Sequence, residues 1–244
     1  METLFKKHRV LVSQVSMKIV RQLMDSINWE KQLVSIRGSR GVGKTTLCAH
    51  FSEYLNEKGM SVSAADADIQ ASLTRHRERE IEADPEHAVS WEIVKLNTLD
   101  AGKLKADMKK LRQKDGIVVI DCPGNLNDNN LAIIYSQADL IVVPMAYDVD
   151  TIDATGIFVS VIGKMTSARL VFLPNRINTT EGKAHEKEMR EETISILGKL
   201  GTVTPRVKQS VVIKRYSTLY PLDKFQYAAV EYAFDRIIEE INKL

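Results

Sequence analysis

The residues best suited to chemistry in this chain form the run Gly38-Ser39-Arg40-Gly41-Val42-Gly43-Lys44-Thr45. It fits G-x-x-x-x-G-K-[ST], in which glycines let backbone N–H groups turn toward phosphate oxygens. Lys44 then reaches the β and γ phosphates, and the Thr45 hydroxyl ligates Mg²⁺. The run follows the apolar stretch QLVSIRG and precedes the helical stretch TTLCAHFSEYLNEKG, which is the strand, loop and helix context the pattern requires. A chance glycine-rich turn would not come with those flanks. Two further groups suit the same chemistry. In GIVVIDCPG four apolar residues run into Asp121, placing a carboxylate at a strand end where it can hold the hydration shell of Mg²⁺. No glutamate follows Asp121, so another group must handle an attacking water. In SAADADIQASLT, Asp66 and Asp68 end a different strand and project differently. Asp66 suits the metal shell and Asp68 the water, although a D-x-D pair taken alone is also a common helix cap or turn.

These groups need a scaffold that brings several strand ends together. The stretches QLVSIRG, MSVSAAD, WEIVKLN, GIVVIDCP, DLIVVPM and ARLVFLPN read as strands, several of them continuously apolar. Strands of that kind have both faces covered, so the expectation is an α/β fold: a doubly wound, mostly parallel sheet with helices on both faces, its ligands beyond the carboxyl ends of the strands. With 244 residues there is room for one such domain, taken as 31–244. A helical lead-in over 1–30 is expected from the stripe Val15, Ile19, Leu23 and Ile27. LTRHREREIEADPEH is dense in charge and reads as a surface excursion, helical or loop. A last helix is expected over about 224–243, docking through Val230, Phe234, Ile237, Ile241 and Leu244.

Composition narrows the classes. Disorder is disfavoured by 44% apolar residues, and a formal charge of +2 implies no acidic partner by itself. No apolar run is long enough to span a membrane and the amino terminus lacks a signal-peptide core, so a cytoplasmic protein is expected. Cys48 and Cys122 form no paired framework and read as small buried hydrophobes. His50 and His185 show no metal-ligand spacing.

Taken together the motifs resemble the ParA/MinD family of deviant Walker ATPases over about residues 33–220. GSRGVGKTT is similar to that family's KGGVGKTT loop, DADIQASLT to its DxDPQ segment and VVIDCPG to its IIIDCPP segment. ADLIVVPM, FLPNRIN and TPRVKQS are similar to its A-D-x-x-x-x-P strand, its N-R segment and its I-P-R-x-x-R region. The resemblance implies ATP and Mg²⁺ as ligands, with Gly38, Gly41, Val42, Gly43, Lys44, Thr45 and Thr46 in the loop, Asp68 on the water and Asp121 on the metal side. It places Asn175, Arg176 and Pro205 on the adenine side, and it implies a homodimer in the ATP state. Where the family carries the lysine that reaches across the dimer, this chain has Ser39, and Arg40 replaces a glycine. A serine carries no charge, so stabilisation of transition-state charge is lost or passes to Arg40; the other reading makes Arg40 a solvated loop residue and hydrolysis slow.

Between Glu192 and Asp223 no acidic residue occurs, while Lys199, Arg206, Lys208, Lys214 and Arg215 do. Lys208, Lys214 and Arg215 are therefore the candidates for nonspecific DNA binding, which in this family depends on nucleotide state and should weaken steeply with salt. The implied function is positioning of plasmid, mobile-element or chromosomal cargo, with a ParB-like or other stimulating partner protein. A membrane anchor is disfavoured by Asp235, Glu239 and Glu240 in the tail. Three alternatives stand beside this reading: a hydrolysis-poor nucleotide-binding scaffold, a ligase of the dethiobiotin-synthetase type, and an AAA-type ATPase, the last opposed by the missing glutamate after Asp121.

Overall fold

The computed structural model describes residues 33–39, 41–124, 130–178 and 184–244, at 184–186 by backbone alone. The expected lead-in helix over 1–30 and Arg40 lie outside the described residues. Seven parallel strands form one sheet in the order β3-β2-β4-β1-β5-β6-β7. They are β1 (Leu33–Ile36), β2 (Val62–Asp66), β3 (Glu92–Lys95), β4 (Ile117–Asp121), β5 (Leu140–Met145), β6 (Arg169–Pro174) and β7 (Thr202–Val203). All six expected strands are present. β7 was not foreseen, because two residues give no period to read.

The helices among the described residues are α1 (Lys44–Glu57), α2 (Ser72–Ala83), α3 (Ala101–Arg112), α4 (Leu131–Gln137), α5 (Val149–Ile162), α6 (Ala184–Gly198), α7 (Val211–Lys214) and α8 (Lys224–Ile241). Every residue of β1, β2, β4 and β5 is buried, as their unbroken apolar runs require. Alternation of side chains divides those residues between two cores. Val34, Ile36, Val119 and Val142 pack with Leu47, Phe51 and Tyr54 of α1 and Phe234 of α8. Leu33, Val118, Ile120 and Ile141 pack with Leu104 and Met108 of α3, Ile134 of α4 and Phe158 of α5.

The charged stretch after β2 is α2, which buries little more than Leu73 and Arg77. Arg77 lies under the Trp91 ring at 4.4 Å and donates to the Trp91 carbonyl and the Thr218 hydroxyl, so one buried cation ties α2 to the chain leading into α8. α8 starts with a capping box between Asp223 and Gln226. Its stripe Val230, Phe234, Ile237 and Ile241 is buried against α1 and the sheet, each side chain contributing about 1.5–3 kcal/mol. That apolar face therefore belongs to the core. No helix among the described residues is long and apolar enough to cross a membrane.

Candidate functional site

The sheet order reverses at β1, whose neighbours β4 and β5 carry the chain to opposite sides, and α/β sheets bind ligands beyond the strand ends at such a point. The glycine-rich loop leaves β1 there. At Gly38 an added Cβ would sit 2.5 Å from the Pro144 carbonyl oxygen of β5, so only glycine lets the loop start so close to the neighbouring strand. Gly41 and Gly43 have φ of 83° and 85°, the left-handed conformation that turns backbone N–H groups inward.

Lys44 opens α1, and its Nζ donates to the Ser39 carbonyl at 2.9 Å across the loop. Burial lowers its pKa, opposed by Asp121 and Asp68 and reinforced by Arg37. Thr45 Oγ1 donates to Asp121 Oδ2 at 2.6 Å, which joins the loop to the end of β4. Asp121 is 1% exposed, and its Oδ1 has no hydrogen-bond partner. Burial raises the carboxyl to about 7, with Asp66 and Asp68 adding to the rise and Thr45 and Lys44 resisting it. A buried carboxylate oxygen without a donor, beside a hydroxyl at the mouth of a phosphate loop, fits a divalent cation. Among the described residues no three His, Cys, Asp or Glu side chains cluster as a metal site. Mg²⁺ does not need such a cage, since it is commonly held by one or two carboxylates together with substrate phosphates.

Asp66 pairs in register with Asp121 across the β2–β4 ladder, but its surroundings differ. Its Oδ2 accepts from the Thr74 amide and hydroxyl, both at 2.9 Å, and its Oδ1 accepts from the Asp68 amide at 3.2 Å. With three donors in place, Asp66 braces the 66–74 segment, while Asp121, its neighbour across the ladder, keeps one carboxylate oxygen without a donor. Asp68 is half-buried, accepts from the Gln70 amide at 2.9 Å, and contributes to the field at Lys44.

On the other side of the loop, Asn175 is 3% exposed and its Nδ2 donates to the Val42 carbonyl at 2.8 Å. Arg176, at φ 60°, donates from Nη1 to the Gly41 carbonyl. Both residues thus hold the loop from the end of β6. The segment after β7 runs beside them: the Val207 amide donates to the Pro174 carbonyl and the Gln209 amide to the Ile177 carbonyl. This brings Lys208, Gln209, Ser210 and Lys214 around a small cleft with Gly43, Thr46, Asn175 and Arg176. Lys208 and Lys214, expected as DNA contacts, therefore also border the loop. Arg215 is exposed just beyond α7. Pro205, expected on the adenine side, is exposed and does not line that cleft. A larger cleft of about 440 Å³ continues from Arg176 toward Tyr147, Asp148, Asn178 and Arg190.

Sequence reasoning missed Thr74, Gln209 and Arg37. The last had a visible signal, a charged residue directly after a buried strand. Cys48 and Cys122 are free and buried, as expected, and burial raises both thiols, Cys122 to about 12, which disfavours the thiolate.

The family model described as the CobQ/CobB/MinD/ParA nucleotide binding domain matches residues 33–212. No curated protein matches the chain by sequence. Among solved structures, an ATP complex of McdA from Cyanothece is similar, with a TM-score of 0.67 and 17% identity over 87% of this chain and 96% of that one. A plasmid partition protein from Borrelia burgdorferi gives 0.64 and 16% over 86% and 99%. The MinD cell division protein of Aquifex aeolicus gives 0.67 and 16% over 85% and 97%. At such identities these likenesses speak for the fold, a parallel α/β sheet of the P-loop kind. Because the family model spans most of the chain and covers the loop, Asp121 and Asn175, the protein belongs to the CobQ/CobB/MinD/ParA nucleotide-binding family.

Proposed function

We propose that this chain is a ParA-like ATPase whose Mg²⁺-ATP state is a homodimer that binds DNA without sequence preference and engages a stimulating partner protein, so that hydrolysis resets the position of a cargo. The observation that carries it is the juxtaposition at one strand end of Lys44, the Thr45–Asp121 pair with its partnerless Oδ1, and the exposed cations Lys208 and Lys214 bordering the same loop. Basic side chains that share a wall with the nucleotide site change their surroundings when it fills, which links DNA affinity to nucleotide state. The partition and cell-division proteins of similar fold support the positioning role.

Bound Mg²⁺-ATP supplies the transferable phosphoryl group and a divalent charge. Lys44 and the loop amides hold the phosphates, Thr45 and Asp121 hold the metal, and Asn175 and Arg176 keep the loop in shape. Asp68, a half-buried carboxylate, is the group assigned to orient water and take up its proton. Ser39 carries no charge and its Oγ is buried without a partner, which favours slow turnover. A hydrolysis-poor scaffold of the same family is the second reading, resting on that residue.

The test is binding of a labelled nonspecific duplex with Mg²⁺-ATP, with ADP and without nucleotide, at two salt concentrations. Tight, salt-sensitive binding with ATP alone supports the proposal. Equal binding, or none, in all three states would sink the DNA-positioning role.

A further inference from the structure

Between α5 and α6 runs an apolar groove of about 380 Å³, lined by Ile152, Gly156 and Val159 on one side and Thr193, Ile196 and Leu200 on the other. Ile196 and Leu200 are 50% and 51% exposed, so nothing among the described residues closes the groove over them. Gly156 leaves room at its middle, since a Cβ added there would meet no atom within 4 Å. A contiguous apolar strip of this kind marks a contact surface.

The chain itself carries a matching surface. Residues 1–32 lie outside the described residues, and they hold the stripe Val15, Ile19, Leu23 and Ile27 at the spacing of one helix face. As a helix that stripe would be about 18 Å long, against about 12 Å along α5 from Ile152 to Ser160, which also lines the groove. So short a helix is marginal in water unless its apolar face packs on something. The groove is within its reach. α5 and α6 run back from the carboxyl ends of the strands to the sheet edge where β1 begins, and Phe158, Ile162 and Leu197 share a core with Leu33. Residues 28–32 join Ile27 to Leu33 and can span about 20 Å. β6 stands two strand spacings, about 10 Å, from β1. Charge agrees as well. Lys18 and Arg21 flank the stripe, and basic residues outnumber acidic ones over 1–32. α5 carries Asp150 and Asp153 and no basic residue, and α6 presents Glu188, Glu191 and Glu192 against Lys187 and Arg190.

We propose that residues 15–27 pack as a helix along the α5–α6 groove, with Val15, Ile19, Leu23 and Ile27 against it, so that the groove is an intramolecular docking site filled by the chain's own amino-terminal segment. Any other chain that uses this face of α5 then competes with that segment. The proposal is independent of the nucleotide reading, since no residue of the phosphate loop takes part in the contact.

The test measures amide hydrogen exchange of residues 15–27 by mass spectrometry in the full chain and in its variants I196D, L23D and I157D, at two protein concentrations. In the parent these amides should exchange at least about tenfold more slowly than in an unfolded chain. I196D puts a charge in the groove and L23D puts one on the stripe without altering the groove; each should remove that protection while the amides of β1 and β4 stay protected. I157D changes an exposed apolar residue of α5 that does not line the groove, and protection should survive it. A short bismaleimide should join S26C to S160C within one chain, and I196D should abolish that link; Cys48 and Cys122 are buried and do not compete for the reagent. The proposal is overturned if residues 15–27 of the parent exchange as a free chain, which would leave the groove to another protein. It is also overturned if protection survives both I196D and L23D, or is lost equally in I157D. Protection that falls on dilution, with a cross-link between two chains, would make a second copy the occupant and overturn it too.

Discussion

Replacing Asp121 by Asn should make the ligand-free protein progressively more stable than its parent as pH rises. Asp121 is almost wholly buried, and burial lifts its carboxyl from 3.8 to about 7. Between those values the native state keeps a proton that the unfolded chain has released. Its contribution to stability is therefore greatest in acid and is lost as pH rises through that window. Integrated from about pH 5 to about pH 8, the loss comes to about 2–3 kcal/mol. Asn cannot titrate, so the difference in unfolding free energy between D121N and the parent should move by that amount in favour of the variant. The new amide Nδ2 faces a position without an acceptor and costs about 1–3 kcal/mol, but this offset does not vary with pH. The slope, and not the absolute difference, therefore isolates the buried carboxyl. Urea unfolding of both proteins in chelator without nucleotide, at steps across that range, measures it. A difference that stays flat would refute the reasoning, and so would one that moves toward the parent, because Asp121 would then be an ionised partner of Lys44. Adding Mg²⁺-ATP should stabilise the parent at the upper end of the range and leave D121N nearly unmoved.

Other expectations follow from single contacts. G38A places a Cβ 2.5 Å from the Pro144 carbonyl oxygen, so it should cost at least about 1–3 kcal/mol of stability in urea and weaken nucleotide binding at the same time. N175A frees the Val42 carbonyl and should destabilise by about 1–3 kcal/mol, with calorimetry showing a weaker ATP complex. T45A leaves Asp121 Oδ2 without its donor, and titration with Mg²⁺ at fixed ATP should need at least about tenfold more metal for half-saturation. Joint replacement of Lys214 and Arg215 by Ala should lower the slope of log affinity for DNA against log salt by about 2, with ATP affinity retained if only phosphate contacts are lost.

The fold class was legible because unbroken apolar strands have one physical solution, a parallel sheet covered on both faces, and the helix that follows the glycine loop confirms where one of its strands ends. The loop, Lys44, Thr45 and Asp121 were legible for a related reason. Phosphate and Mg²⁺ demand particular residue types within a short span, and the loop that supplies most of them is contiguous in sequence. The sheet alone decided the rest. Register set Asp66 beside Asp121, yet the fold of the 66–74 segment gave Asp66 to Thr74 and left Asp121 the one with an open oxygen. Strand order carried the 207–214 segment alongside β6, so that Lys208 and Lys214, more than 160 residues from the loop, became its neighbours. Burial of Arg37 could not be read from its type, because charge in a sequence says nothing of which solvent surrounds it. A sequence determines which groups are available and the local geometry they favour, whereas their desolvation and their long-range partners exist only once the chain has packed.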